Sequence, residues 1–269
     1  MKQKISRTGL LVAAGALLGI WAALTVHTQT NSFAATAPVA GSTYLGVGKC
    51  KMCHQTAKGT TPAIYKAWSE TKHGKINTGV VPIPAKATAE VTARHMTGAE
   101  KGITCEACHG PSSKHMMSKD KKGTTVDPAS LDTPAKKISL CGRCHGQYSI
   151  GDQKFAAKYQ VGDDLLKAEG FKLAEIEPGK KLQEMNELVK SSHFAKGVTC
   201  ITCHTSHAAA PAAKSLKKPV NQLCLDCHKT TVKDMATHAP KAAADATCAT
   251  CHMPKGMHTF AEPEEEKKD

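Results

Sequence analysis

The sequence predicts a mainly α fold with extensive loops and little or no β, in which covalently bound groups take the place of an ordinary side-chain core. Three observations predict it. The pentapeptide Cys-x-x-Cys-His occurs six times and uses all twelve cysteines. Aromatic residues make up only 4% of the chain, whereas a core of ordinary kind draws more heavily on large side chains. Helical signals mark the segments 61–73, 85–96 and 180–193, with proline breaking the chain between the first two.

The pentapeptides are CKMCH (Cys50, Cys53, His54), CEACH (Cys105, Cys108, His109), CGRCH (Cys141, Cys144, His145), CITCH (Cys200, Cys203, His204), CLDCH (Cys224, Cys227, His228) and CATCH (Cys248, Cys251, His252). Each is the attachment signal for c-type haem. Two thiols at this spacing add to the two vinyl groups of one porphyrin, and the histidine that follows ligates the iron. Six haem c groups are therefore expected. Zinc shared between two Cys-x-x-Cys pairs requires no histidine after every second cysteine, and thioether formation leaves no thiol for a disulfide. With six porphyrins on roughly 235 mature residues, the macrocycles are expected to form the core. The haem-free chain is then expected not to fold.

The N-terminus bears on the compartment. Lys2, Lys4 and Arg7 precede an apolar run at 9–26, and Ser32, Phe33 and Ala34 offer a cleavage site, so residues 1–34 read as a signal peptide. The run is short for a membrane span, and an uncleaved N-terminal anchor is the alternative. Either outcome places the cysteines outside the cytoplasmic membrane, in the periplasm or exported to the outer membrane or cell surface. Membrane contact is expected only if the segment is kept.

The formal net charge of +13 would ordinarily suggest nucleic acid or an anionic surface. Three of those charges lie in the leader. Twelve propionates against six ferric centres would bring the oxidised protein to about +4 and the reduced protein to about −2. Much of the lysine excess thus has an internal counterpart, and a nucleic-acid partner is discounted.

Motif starts are separated by 55, 36, 59, 24 and 24 residues, too irregular for a solenoid. They divide the mature chain into an N-terminal three-haem part (35–145, opening on an Ala/Pro/Gly-rich tether at 35–42), a haem-free loop and helix insert (146–190), and a C-terminal three-haem part (191–261). A charged tail (262–269) is expected to be disordered. Thr61 and Pro62 read as an N-cap and first helical position of a helix running to about His73 and stopped by Gly74. A second helix, 85–96, lines up Ala87, Val91 and His95. The stretch 113–137 reads as a surface loop. Residues 180–193 put Leu182, Met185, Val189 and His193 on one helical face, which is expected to lie against porphyrin.

Beyond the attachment histidines and His27 of the leader, seven remain: His73, His95, His115, His193, His207, His238 and His258. Six irons need six such ligands for complete bis-histidine coordination, so the supply exceeds demand by one. A histidine close to a motif is expected to cap a different haem from the one that motif holds. His258, near the tail, is the least anchored. Met96, Met116, Met117 and Met257 lie beside candidate histidines and are the competing ligands, which would raise a haem potential.

The chain resembles the multihaem cytochromes c of the c-554-like group. The resemblance rests on Tyr44-Leu45-Gly46 leading to CKMCH, followed by Tyr65, Trp68 and Thr71-Lys72-His73. It continues through GITCEACHGPSSKH, SSHFAKGVTCITCHTSH, NQLCLDCH and CATCHMPK. It implies a mostly helical, loop-rich fold wrapped around closely stacked haems, acting as an electron conduit outside the cytoplasmic membrane. It also implies that His73, His115, His193 and His207 serve as distal ligands. Related reductases of nitrite, hydroxylamine or sulfur oxyanions often carry Cys-x-x-Cys-Lys, and this sequence has none. The expectation is thus an electron carrier rather than an enzyme, exchanging electrons with redox protein partners, with a multihaem reductase of nitrite, hydroxylamine or a sulfur oxyanion as one alternative and self-association into an oligomer or haem filament as another.

Overall fold

In the computed structural model the described residues are 40–58, 62–75, 103–150, 160–207 and 215–260. All of them belong to one unit, Phe33–Asp269. Short helices joined by turns dominate, and among the described residues the β structure is one two-residue pair and one isolated antiparallel bridge between His204 and Leu216. Tyr148 lies opposite Leu173 and Ser149 opposite Lys172, antiparallel. The tail and the expected 85–96 helix, with His95 and Met96, lie outside the described residues.

Each attachment motif is helical. The helices are Val47–His54, Cys105–His109, Pro134–His145, Cys200–Cys203, Val220–His228 and Cys248–His252. A helical turn brings residues three and four apart onto one face, so both thiols and, in five of the six motifs, the histidine lie on the same side; His204 is the extended residue that follows its helix. In two of them the residue before the first cysteine completes a capping box: the Thr199 N–H donates to Thr202 Oγ1 at 3.0 Å and the Thr247 N–H to Thr250 Oγ1 at 3.0 Å. These bonds satisfy N-terminal groups that a helix leaves unpaired.

Pro134–His145 organises the middle of the molecule. Thr133 accepts the Lys136 N–H at 3.2 Å and Pro134 occupies the first helical position, a favoured start. Ile138 packs with Leu165, Met185 and Leu188, while Leu140 packs with Val126, Leu131 and Val161. These two clusters correct the expectation of a core made of macrocycles alone. The 146–190 insert contributes side chains to a true apolar core, and its helix packs against protein where porphyrin was expected.

That insert helix is Glu184–Val189, followed by a separate turn at Ser192–Ala195, in place of one helix over 180–193. Leu182 takes a left-handed conformation, φ 60°, which a right-handed helix cannot include. Ser191 is extended and its hydroxyl accepts the Phe194 N–H, capping the second turn. Asn186, fully buried, joins helix to sheet: it accepts the Gln147 N–H at 2.9 Å and donates to the Gln147 and Ala174 carbonyls at 2.7 and 2.9 Å.

Three other expectations are corrected. The helix expected from Thr61 to His73 is two, Tyr65–Glu70 and Lys72–Lys75, separated at Thr71, which is extended. Gly74 does not stop it but lies inside the second piece, where a Cβ would come within 2.4 Å of the Trp68 carbonyl oxygen. The 113–137 stretch is built structure, with helix Ser113–Met117, turn Pro128–Ser130 and buried Val126 and Leu131. The end of the tether is docked as well, since the Ser42 hydroxyl donates to the Pro111 carbonyl at 2.8 Å.

Candidate haem centres

The histidines that follow the attachment cysteines each face one other histidine. The ring centroids are 6.3 Å apart for His54 and His115, 5.8 Å for His109 and His207, and 6.1 Å for His145 and His73. They are 6.1 Å apart for His204 and His258, 5.9 Å for His228 and His193, and 6.0 Å for His252 and His238. An iron between two imidazoles, each bonded at about 2.0 Å with about 1.1 Å from nitrogen to ring centre, sets the centroids about 6.2 Å apart. The residues therefore fit two axial ligands on one iron. Among the described residues no three His, Cys, Asp or Glu side chains gather as a metal site. Two protein ligands per iron suffice when a porphyrin supplies the other four.

In five pairs the second histidine comes from a part of the chain remote from the motif it meets. His238 does not. It faces His252, the histidine of the motif that follows it, because turns at Ala239–Ala242 and Ala243–Ala246 fold the intervening chain back. His258, expected to be poorly anchored, is held through its main chain: its N–H donates to Glu187 Oε2 at 2.7 Å. Of the methionines beside candidate histidines, Met116 and Met117 are exposed and Met257 is half-buried.

Ring orientation is set by contacts at Nδ1, which leave Nε2 to the iron. His109 Nδ1 lies 2.7 Å from the Val126 carbonyl oxygen, and the Val126 N–H donates to the His109 carbonyl at 3.0 Å. The stretch expected to be a solvated loop thus holds an attachment histidine. His54 Nδ1 lies 3.2 Å from the Pro62 carbonyl oxygen, His115 Nδ1 3.2 Å from Thr124 Oγ1, and His145 Nδ1 3.4 Å from Glu184 Oε2. Burial pulls His73, His115, His193 and His207 below the ordinary histidine range, toward the neutral form that binds iron. The Glu184 hydrogen bond instead raises His145. Ile103 ties the helix of His73 to the one before it: the Trp68 Nε1–H donates to the Ile103 carbonyl at 3.1 Å and the Ile103 N–H donates to the His73 carbonyl at 3.1 Å.

None of the twelve cysteines forms a disulfide. Thiols of consecutive motifs adjoin one another. Hydrogen bonding to Cys50 raises Cys105 above the ordinary thiol range, and bonding to Cys200 raises Cys141. Burial, with Cys248 nearby, pushes Cys224 up to about 11. Cys108 interacts with Cys141, and Cys203 with Cys227. Neighbouring motifs in sequence are thus neighbours in space from the first to the sixth.

Sequence reasoning passed over Glu106, the second residue of CEACH, which is 1% exposed. Its carboxylate accepts N–H bonds from Leu45 at 3.0 Å, Gly46 at 2.9 Å and Ser112 at 3.0 Å. It fixes the approach to the first motif from inside the second. A charged residue among the apolar and small neighbours of that motif was the available signal. Glu184 and Glu187 were passed over too, although their spacing of three places them on adjoining helix positions.

Residues 192–233, which hold CITCH and CLDCH, match the family model for the doubled CXXCH motif. The structure resembles the outer cell wall cytochrome OcwA, with a TM-score of 0.50 and 17% identity over 81% of this chain and 79% of that one. Motif and fold are those of a multihaem c-type cytochrome. Weaker similarity extends to an undecahaem cytochrome from the S-layer of Carboxydothermus ferrireducens, at 22% identity and TM-score 0.32 over 61% of this chain. It extends also to the octahaem sulfite reductase MccA of Wolinella succinogenes, at 23% identity and TM-score 0.31 over 60% of this chain. The chain spans 33% of the length of the former and 25% of the latter. No curated protein matches the sequence. Among the described residues no helix is long and apolar enough to cross a membrane.

Proposed function

We propose that the chain is a hexahaem cytochrome of the c-554-like group, exported to the periplasm or cell surface, that relays electrons between redox protein partners and turns over no small-molecule substrate. The observation that carries this reading is the pairing of every attachment histidine with a second imidazole at 5.8–6.3 Å. When bound, six haem c groups supply a one-electron ferric/ferrous couple each. The side chains hold and orient those groups. Two imidazoles per iron leave no coordination position for nitrite, hydroxylamine or a sulfur oxyanion, which catalysis at a metal requires.

The same pairing favours a relay over a filament capped by a neighbouring subunit, since each attachment histidine has its partner within the chain. His95 then has no seventh motif to serve, and we read it as spare. The adjacency of consecutive motifs supports a relay in sequence order, with the first and sixth haems as its ends. His207 ties the 191–261 part to the second motif through His109, while His193 reaches to the fifth motif.

Protein-film voltammetry tests the proposal. Six one-electron transitions per chain are expected, unaltered by nitrite, hydroxylamine or sulfite. A catalytic wave with any of the three would overturn it in favour of a reductase.

A further inference from the structure

Resting on the reading of His145 as an iron ligand, we infer that Glu184 is a positioning residue that sets the third haem's potential below the value its axial imidazoles alone would give. Glu184 opens the helix of the insert that carries no attachment motif, and its Oε2 lies 3.4 Å from His145 Nδ1. At the first and second attachment histidines, His54 and His109, the Nδ1 contacts are to neutral carbonyl oxygens, those of Pro62 and Val126. His193 Nδ1 is buried with no hydrogen-bond partner. The third centre therefore has an anionic acceptor where the first and second have neutral ones.

The physical consequence follows from charge. A carboxylate that accepts the Nδ1 proton makes the imidazole a stronger donor at Nε2, and it places a negative charge beside the iron. Both effects favour the ferric form over the ferrous. The electron adds to the iron, the Nδ1 proton stays on the ring, and no bond breaks. The same helix reaches the neighbouring centre: Glu187 accepts the His258 N–H at 2.7 Å, and its Oε2 lies 3.6 Å from His258 Nδ1, beyond hydrogen-bond distance. Gln183 Nε2 braces Glu187 in turn, at 3.0 Å. The insert thus places a carboxylate beside one ligand of the third centre and one of the fourth, within hydrogen-bond distance of the ring at the third.

The test uses the haem-loaded full chain with Glu184→Gln, which keeps an acceptor oxygen and removes the charge. One of the six one-electron transitions is expected to move positive by about tenfold in its oxidised-to-reduced ratio, close to 59 mV for a one-electron couple. One low-spin paramagnetic resonance signal is expected to move with it. Glu175→Gln, which removes an exposed carboxylate of the same insert that pairs with Lys190, is expected to leave all six transitions in place. Six unmoved transitions in Glu184→Gln would overturn the inference, as would haem loss or a shift of several transitions together, which mark a structural role. A wild-type chain that lacks a bis-histidine third haem would instead overturn the underlying function.

Discussion

Glu106 shows how much a single buried side chain carries in a protein with few large residues. Glu106→Ala would strip the acceptor from three main-chain N–H groups, and unpaired polar groups of this kind cost about 1–3 kcal/mol each when buried. A loss of about 2–4 kcal/mol is expected in reversible denaturation of the haem-loaded protein, with earlier proteolysis near Leu45. At the ligand positions, His207→Ala is expected to convert one haem to high spin and leave five unchanged. The optical spectrum after haem-by-haem potentiometry would show it, and an unchanged spectrum would remove His207 from the second centre. His73, His115, His193 and His207 are all held below the ordinary histidine range by burial. Their folded forms therefore bind fewer protons than the unfolded chain. With iron bound these rings stay neutral in the folded chain, so unfolding takes up protons below about pH 6.5 and the denaturation midpoint of the haem-loaded protein should fall between about pH 7 and about pH 5.

Among the elements, the contact between Pro134–His145 and Glu184–Val189 is the tightest test of packing. A Cβ at Gly142 would sit 2.0 Å from Met185 Sδ, and one at Gly146 2.5 Å from Met185 Cε. Gly142→Ala therefore overpacks the core and is expected to cost about 1–3 kcal/mol. Met185→Ala in the same chain should recover part of that loss, read as a rise in thermal midpoint over the single variant. The contact also marks what the sequence could and could not disclose. The apolar spacing of Met185 and Val189 announced a buried face. It could not say what buried it, because Leu182 and Ser191 adopt backbone conformations that break the helix on either side. Within 113–137, composition suggested solvent, yet Val126 sits beneath His109 because its main chain satisfies the ring. Hydrogen bonds made by backbone leave no side-chain signature to read.

For the whole molecule, the attachment motifs were legible at once, since their chemistry is local and each completes itself within five residues. The distal partners were not, because His73 meets His145 and His207 meets His109 across long stretches of chain. A count of histidines supplied the candidates, and only the fold supplied the pairs, including the fold-back of His238 onto His252. The planes of three pairs are close to parallel, at 17°, 9° and 21°, and those of the other three cross at 65°, 54° and 42°. Axial imidazole planes govern the anisotropy of a low-spin ferric haem, so two families of signal are expected. The paramagnetic resonance spectrum of the fully oxidised protein shows whether every iron is held by two imidazoles. Six low-spin haems per chain are expected, divided between near-parallel and crossed ligand planes, with no high-spin signal. A high-spin component, or fewer than six low-spin centres, would contradict that.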